Sequence, residues 1–254
     1  MEPVAAPGLV IAADELVRRL ASRLTTENNG QDPPPLWIVN ARAPQAGEFP
    51  SALREIGRRQ AWIAPATLAP KALRDRCLME SVEGGWLFLL PASAERADLQ
   101  YVSLPSHSPP PAPEIVIEKT AMICHALSDI APWRSPLACM PKVHLMPAQP
   151  GELAVGEGAL AFDPISGDGV GHALRSVVLA ATTLDAIAKG QPADECLSEY
   201  AATLHRAMAH HLKICLELYD NAMQDPGWRA EIATMRATMG ELSGSGGHAA
   251  RDST

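Results

Sequence analysis

The stretch that most constrains the fold runs from Gly156 to Ser176 and reads Gly-Glu-Gly-Ala-Leu-Ala-Phe-Asp-Pro-Ile-Ser-Gly-Asp-Gly-Val-Gly-His-Ala-Leu-Arg-Ser. Glycines crowd it as far as Gly171 and then stop. An apolar helical period follows at Leu174, Val177, Val178, Ala181 and Leu184. A loop here delivers the chain into a helix N-terminus. Gly167, Gly169 and Gly171 permit positive φ and let a ligand come close to the main chain. The first amides of the helix lack intrahelical partners and carry the positive end of its dipole. Such a place suits an anion or an electron-rich ring edge.

The rest of the chain can be read around this point. Ala12 to Leu24 has the spacing of an amphipathic helix, with Leu16, Val17, Leu20 and Leu24 on one face. Thr25 to Pro35 is a loop, and Leu36-Trp37-Ile38-Val39 is a buried strand. From Pro50 to Pro105 the pattern is mostly β. Strands are expected at Gln60–Ala64, Cys77–Val82, Trp86–Pro91 and Leu99–Leu104, with a hairpin turn at Glu83-Gly84-Gly85. Trp86–Pro91 is too uniformly apolar to face water on one side. Pro113 opens one helix, supported by Ile115, Ile117, Met122, Ile123, Ala126 and Ile130. Strands at Cys139–Leu145 and Leu153–Val155 lead to the glycine-rich loop. Helices then run from Gly169 to Lys189, from Ala193 to Asn221 and from Arg229 to Met239, the last packing loosely. The second carries the stripe Leu197, Tyr200, Ala201, Leu204, Met208, His211, Leu212, Cys215 and Leu218.

The segment Gly-Glu-Gly-Ala, then Asp163-Pro164, then Gly-Asp-Gly and a helix resembles the second flavin-contacting motif of FAD-dependent monooxygenases, geranylgeranyl reductases and flavin-dependent halogenases. The family's usual text there is Gly-Asp-Ala-Ala, then Asp-Pro, then Gly-x-Gly. The resemblance implies a p-hydroxybenzoate hydroxylase-type fold and FAD as cofactor. It places Gly156, Glu157, Asp163, Pro164, Gly167, Gly169 and Val170 around that cofactor. Glu157 stands where the family has Asp, keeping the carboxylate on a side chain one methylene longer. Asp163 and Pro164 are ring-side contacts or turn residues at a helix entry. Asp168 reads as the helix N-cap. Arg175 reaches a phosphate or flavin, or makes a surface ion pair. His172 is a ring-side acid-base candidate or a plain helix-start histidine.

Two departures stand beside this likeness. Asn40 and Ala43 occupy the places of the Asp and Gly in the family's Asp-Ala-x-Gly. No Gly-x-Gly-x-x-Gly occurs anywhere in the 254 residues, so the dinucleotide fingerprint that cradles the ADP pyrophosphate is absent from the sequence. Trp86 to Pro91 is similar in position to the halogenase Trp-x-Trp-x-Ile-Pro, but Phe88 and Leu90 replace its second Trp and its Ile.

The chain therefore reads as the C-terminal two-thirds of such a flavoprotein, with a mixed α/β or α+β fold. Residues 1–45 and 141–190 are a partial FAD/NAD(P)-binding-like domain, and 46–140 an antiparallel-sheet substrate domain. Residues 191–240 are a C-terminal helical extension, and 241–254 a flexible tail. With no first βαβ unit, the edge of the nucleotide-side sheet should be exposed and apolar, a surface for a protein partner to cover.

The formal charge of −8 and the lack of a basic cluster exclude nucleic acid as a general partner. The five cysteines are scattered without knuckle or redox spacing, which points to free thiols in a reducing, cytoplasmic compartment. No membrane span is expected. His205, His210 and His211 are spaced badly for a shared metal ion. Three functions remain open. One is an FAD-dependent, monooxygenase-like oxidoreductase acting on an organic or peptidyl substrate at the flavin ring. Another is a non-catalytic accessory protein that has lost FAD. The third is a partial chain that cannot bind FAD alone.

Overall fold

The computed structural model describes residues 37–41, 53–70, 72 and 75–244, all within the unit Leu36–Thr254. The expectations for Ala12–Leu24, Thr25–Pro35, Ala43 and the tail beyond Gly244 lie outside the described residues. Strands β1 (Ile38–Asn40) and β2 (Leu53–Glu55) come first. Then follow β3 (Gln60–Leu68), β4 (Leu78–Val82), β5 (Gly85–Pro91) and β6 (Arg96–Ser103). Two short helices come next, α1 (Pro113–Ile117) and α2 (Ile123–Ala126). After them run β7 (Leu127–Ile130), β8 (Leu137–Ala138), β9 (Lys142–His144), β10 (Ala148–Gln149), β11 (Glu152–Ala154) and β12 (Leu160–Ala161). The chain closes with α3 (Gly169–Ala188), α4 (Ala193–Ala222) and α5 (Pro226–Gly244).

The largest sheet among the described residues is six-stranded, in the order β4-β5-β6-β3-β7, with β8 also on β3. The turn at Glu83-Gly84 joins β4 to β5 as the sequence predicts, with Val82 opposite Gly85. β5 is apolar on both faces because both are covered. Leu87 and Leu89 enter a core with Leu99, Tyr101, Val116 and Ile123. Trp86 enters the other core, with Val102, Tyr219 and Trp228. A three-stranded sheet has the order β1-β11-β10, with β1 and β11 parallel. The second three-stranded sheet, β12-β9-β2, is antiparallel throughout.

The single helix expected from Pro113 to Ile130 is not formed. α1 stops at Ile117, and Thr120 Oγ1 donates to the Ile117 carbonyl at 2.6 Å. The Glu80 carboxylate then accepts the amides of Ala121, Met122 and Ile123 at 2.7–3.0 Å and starts α2. β7 follows directly, because the edge of β3 takes Leu127 to Ile130 into the sheet. The apolar spacing was compatible with helix and strand, and a tertiary partner decided.

The C-terminal helices are core elements. α4 buries Leu197, Tyr200, Leu204, Met208, His211, Leu212, Cys215, Leu216 and Tyr219. Its stripe ends on Tyr219, and Leu218 is exposed. α5 begins at Pro226, where Asp225 Oδ1 accepts the Trp228 amide at 3.1 Å as an N-cap does. It is longer and tighter than the sequence suggested. Trp228, Met235 and Thr238 are all 0% exposed.

α3 differs. An apolar stripe ordinarily faces a core, yet Leu174, Val177 and Val178 are 49%, 48% and 64% exposed. The buried face is His172, Ser176, Ala180 and Thr183. By length and composition alone this 20-residue helix could cross a membrane, at a mean hydropathy of 1.2, which the sequence reading did not anticipate. Its small and polar face, however, packs on the Gly156 turn and on α4. All three residues of β1 are exposed as well.

Candidate functional site

Two ends of the chain's architecture meet in the glycine-rich loop. β11 is followed by buried Val155, and the chain turns through Gly156–Gly158. Gly156 has φ +53°, a conformation L side chains rarely adopt. Its amide donates to Ser176 Oγ at 2.8 Å, and that hydroxyl donates to the Ala173 carbonyl at 2.7 Å. The end of the sheet is thereby tied to the first turns of α3. Glu157 is exposed on the outside of the turn, between two buried glycines.

Past β12 the chain makes a second tight turn, Pro164–Ser166, capped by Asp163, whose Oδ1 accepts the Ile165 amide at 3.0 Å. Gly167 leaves that turn with φ +62°. A β-carbon at Gly167 or Gly169 would meet nothing within 4 Å. The backbone here is open to an approaching ligand. α3's ladder begins with the His172 amide bonded to the Asp168 carbonyl at 2.8 Å. The amides of Gly169, Val170 and Gly171 precede it. Val170 is 52% exposed beside them. Asp168 stands at the N-cap position but makes no capping hydrogen bond. Its carboxylate pairs instead with Arg175, and the pair lies across Gly171, where a β-carbon would come 2.3 Å from Asp168 Oδ1.

Under this exposed loop is a buried polar network. The Asp163 side chain is 0% exposed and points inward. Tyr219 donates its hydroxyl to Asp163 Oδ1 at 2.9 Å and accepts the Trp86 indole N–H at 3.2 Å. Arg59, also 0% exposed, brings Nη1 to 3.2 Å from Asp163 Oδ2. Among the described residues that oxygen has no hydrogen-bond partner, so the contact is an ion pair without hydrogen-bond alignment. Arg59 donates to the Ile56 carbonyl at 2.9 Å, and its guanidinium lies 5.5 Å from the Tyr219 ring centroid. Glu231 approaches Arg59 at 3.9 Å and accepts the Arg58 amide at 2.8 Å.

The protonation states follow from burial and charge. Burial opposes the Arg59 cation, but Asp163, Tyr219 and Glu231 outweigh it and hold the guanidinium charged. Burial, with Asp163 adding to it, pushes the Tyr219 phenol well above its ordinary range, so it stays a donor. Burial also raises the Glu231 carboxyl, against the pull of Arg59. His211 is pushed down to about 4 by burial. Its neutral Nε2 accepts the Asp163 amide at 2.8 Å and lies 3.3 Å from the Cys215 sulfur.

Phe162 joins the two sides of the loop. Its ring stacks on His211 at 4.1 Å, almost parallel, and meets His172 at 4.3 Å. His172 is 5% exposed and burial lowers its pKa. His205 contacts the His144 carbonyl at 3.1 Å, and His210 is exposed.

The structure places Gly156 and Glu157 in the turn after β11, the glycine buried and tied to Ser176 and the acid exposed, and Pro164, Gly167, Gly169 and Val170 in the second turn and the start of α3. It brings Asp163 to that second turn by main chain, with the carboxylate directed into the core. Sequence reasoning missed Arg59, Tyr219 and Glu231. Tyr219 was findable, since it continues the period of His211 and Cys215. Arg59 carried no signal, as an arginine in an Arg-Arg pair before a strand is ordinarily solvated. A separate cavity of about 350 Å³ lies between the β4–β5 turn and the segment after β6, lined by Glu83, Tyr101, His107, Pro109 and Lys119 among others.

No protein-family model and no curated protein sequence matches this chain. Solved structures do. The chain is similar to CmlS, a flavin-dependent halogenase, with TM-score 0.63 and 17% identity over 76% of this chain and 39% of that one. It is similar to CndH, the myxobacterial chondrochloren halogenase, a variant of the FAD-dependent halogenases. There the TM-score is 0.64 and the identity 17%, over 85% of this chain and 55% of that one. It is also similar to QhpG, a peptidyl tryptophan dihydroxylase essential for tryptophylquinone cofactor biogenesis. There the TM-score is 0.61 and the identity 18%, over 77% and 48%. At these identities the likeness is one of fold, and the chain spans between 39% and 55% of the length of these three. The mixed α/β fold with antiparallel sheets and C-terminal helices is that of flavin-dependent enzymes.

Proposed function

We propose that this chain forms the ring-side and substrate-side part of an FAD-dependent, monooxygenase-like oxidoreductase that oxidises or hydroxylates an organic or peptidyl substrate. The carrying observation is the open backbone at Gly167 and Gly169 in front of the first amides of α3. These residues fit the ring end of FAD. The amides of Gly169 and Val170 suit its carbonyl edge, and exposed Glu157 suits its ribityl hydroxyls. Gly156, Pro164 and Gly167 shape the turns that present them, and Asp163 holds the second turn. The flavin supplies the redox chemistry when bound; the chain positions it and shapes the substrate side. The fold shared with a halogenase and with a peptidyl dihydroxylase supports the substrate class. The free thiols suit a reducing, cytoplasmic setting.

Titration with FAD, FMN and riboflavin, followed by quenching of flavin fluorescence, tests this reading. Quenching that Gly169→Val abolishes, with the melting temperature unchanged, is the expected result. Folded protein that quenches none of the three at saturating concentrations overturns it.

A second reading has its own observation. Among the described residues β1 pairs with parallel β11, and its three residues are exposed. Parallel strands are ordinarily covered on both faces. Val170, Leu174, Val177 and Val178 add an apolar helix face. A strand-helix-strand polypeptide segment bearing a Gly-x-Gly-x-x-Gly turn suits this surface, and the chain would then bind FAD only with it. Added as a separate polypeptide, such a segment should form a one-to-one complex on gel filtration and raise flavin affinity at least tenfold. Undiminished flavin binding by the chain alone, with no complex, rejects this second reading.

A further inference from the structure

We infer that Tyr219 and Arg59 are positioning residues: through the inward-turned Asp163 carboxylate they fix the open glycine loop, and with it the amides at the start of α3. The inference rests on the flavin reading of that loop and adds the device that holds it in shape.

The argument begins with what the loop cannot do for itself. Between Asp163 and His172 it holds Gly167, Gly169 and Gly171, and glycines lose the most backbone freedom on ordering. A ligand that had to order this span would bind weakly, so the order must come from elsewhere. Asp163 is held at every polar group except Oδ2, which has only the arginine's charge. Its amide goes to His211, and its carbonyl accepts the Ser166 amide at 3.2 Å. One carboxylate oxygen accepts from Ile165 and Tyr219, and the other faces Arg59. At the far end, His172 is gripped through Phe162 by His211. Both ends of the glycine span are therefore anchored on α4, while the span itself faces out.

Tyr219 also takes the Trp86 N–H from β5. One hydroxyl thus ties the six-stranded sheet to the loop. A buried arginine-carboxylate pair is weak evidence for stability alone, since apolar replacements of similar volume are often as stable. Its place directly under the open loop fits fixing one geometry.

Tyr219→Phe deletes this hydroxyl and keeps the ring. Amide hydrogen exchange would be followed at Ile165, Ser166, Gly167, Asp168 and His172, whose amides are hydrogen-bonded, with Arg96–Ser103 of β6 as the internal reference. Exchange in the loop should rise about tenfold while β6 is unchanged, and flavin affinity should fall five- to tenfold. Asp163→Asn should act in the same direction, and Tyr219→Phe decides if that variant does not fold. Unchanged loop exchange in Tyr219→Phe, or acceleration spread evenly over loop and β6, overturns the inference. Wild-type protein that binds no flavin refutes the functional reading instead, and the exchange result still decides the positioning role.

Discussion

α4 and α3 carry sequence stripes of the same kind and meet opposite fates. The α4 stripe from Leu197 to Tyr219 is buried. The α3 stripe of Leu174, Val177 and Val178 is turned outward, while His172, Ser176 and Thr183 face the protein. Amphipathic spacing states which face of a helix is apolar. It does not state whether the described residues supply the cover. On α4 the cover is α5, the sheets and the loop; on α3 the apolar face is open.

The contrast can be broken first on the α4 side. Trp228 on α5 is 0% exposed and stacks on Tyr219 at 5.0 Å. Trp228→Ala should cost about 3–5 kcal/mol in urea unfolding, and a loss under 1 kcal/mol would show the helical pair to be a loose appendage. Arg59→Met comes next. It leaves Asp163 buried without its cation and should cost about 3 kcal/mol, with Asp163→Asn in the same chain recovering part of the loss.

The third test uses pH. His211 is held near 4 in the folded state against an ordinary 6.5. Because the folded pKa is the lower, the unfolded state binds more protons between these values. The contribution is complete above pH 6.5, shrinks as pH falls through the window and is gone below about 4. Its size is on the order of a few kcal/mol. Urea midpoints should therefore drop from pH 7.5 to 4.5, and His211→Gln, which retains an acceptor, should flatten that drop relative to wild type. The smallest effect belongs to α3. Val178→Lys should change stability in urea unfolding by less than about 0.5 kcal/mol. A large destabilisation would mean that this face is covered after all.

Much of the fold was legible because its signals were local. The Gly-Gly turn, the apolar β5, the helix start after the glycine run and the break between Asn221 and Arg229 all depend on near neighbours. The stretch from Ile115 to Ile130 was not legible, since Glu80 and the open edge of β3 decide it from far along the chain. For the candidate site, sequence could place the backbone of Gly156 to Gly171 and not its support. Arg59 lies 104 positions before Asp163, and Tyr219 56 after it. The inward turn of the Asp163 carboxylate follows from those two partners, and neither announces itself near the motif.

β5 has one more consequence. Trp86 looks into one apolar core and Leu87 into the other, so the strand is a wall common to both. Neither half can melt while the other stays intact without stripping one side of that wall bare. Heat should therefore take the two cores apart together, in a single cooperative transition.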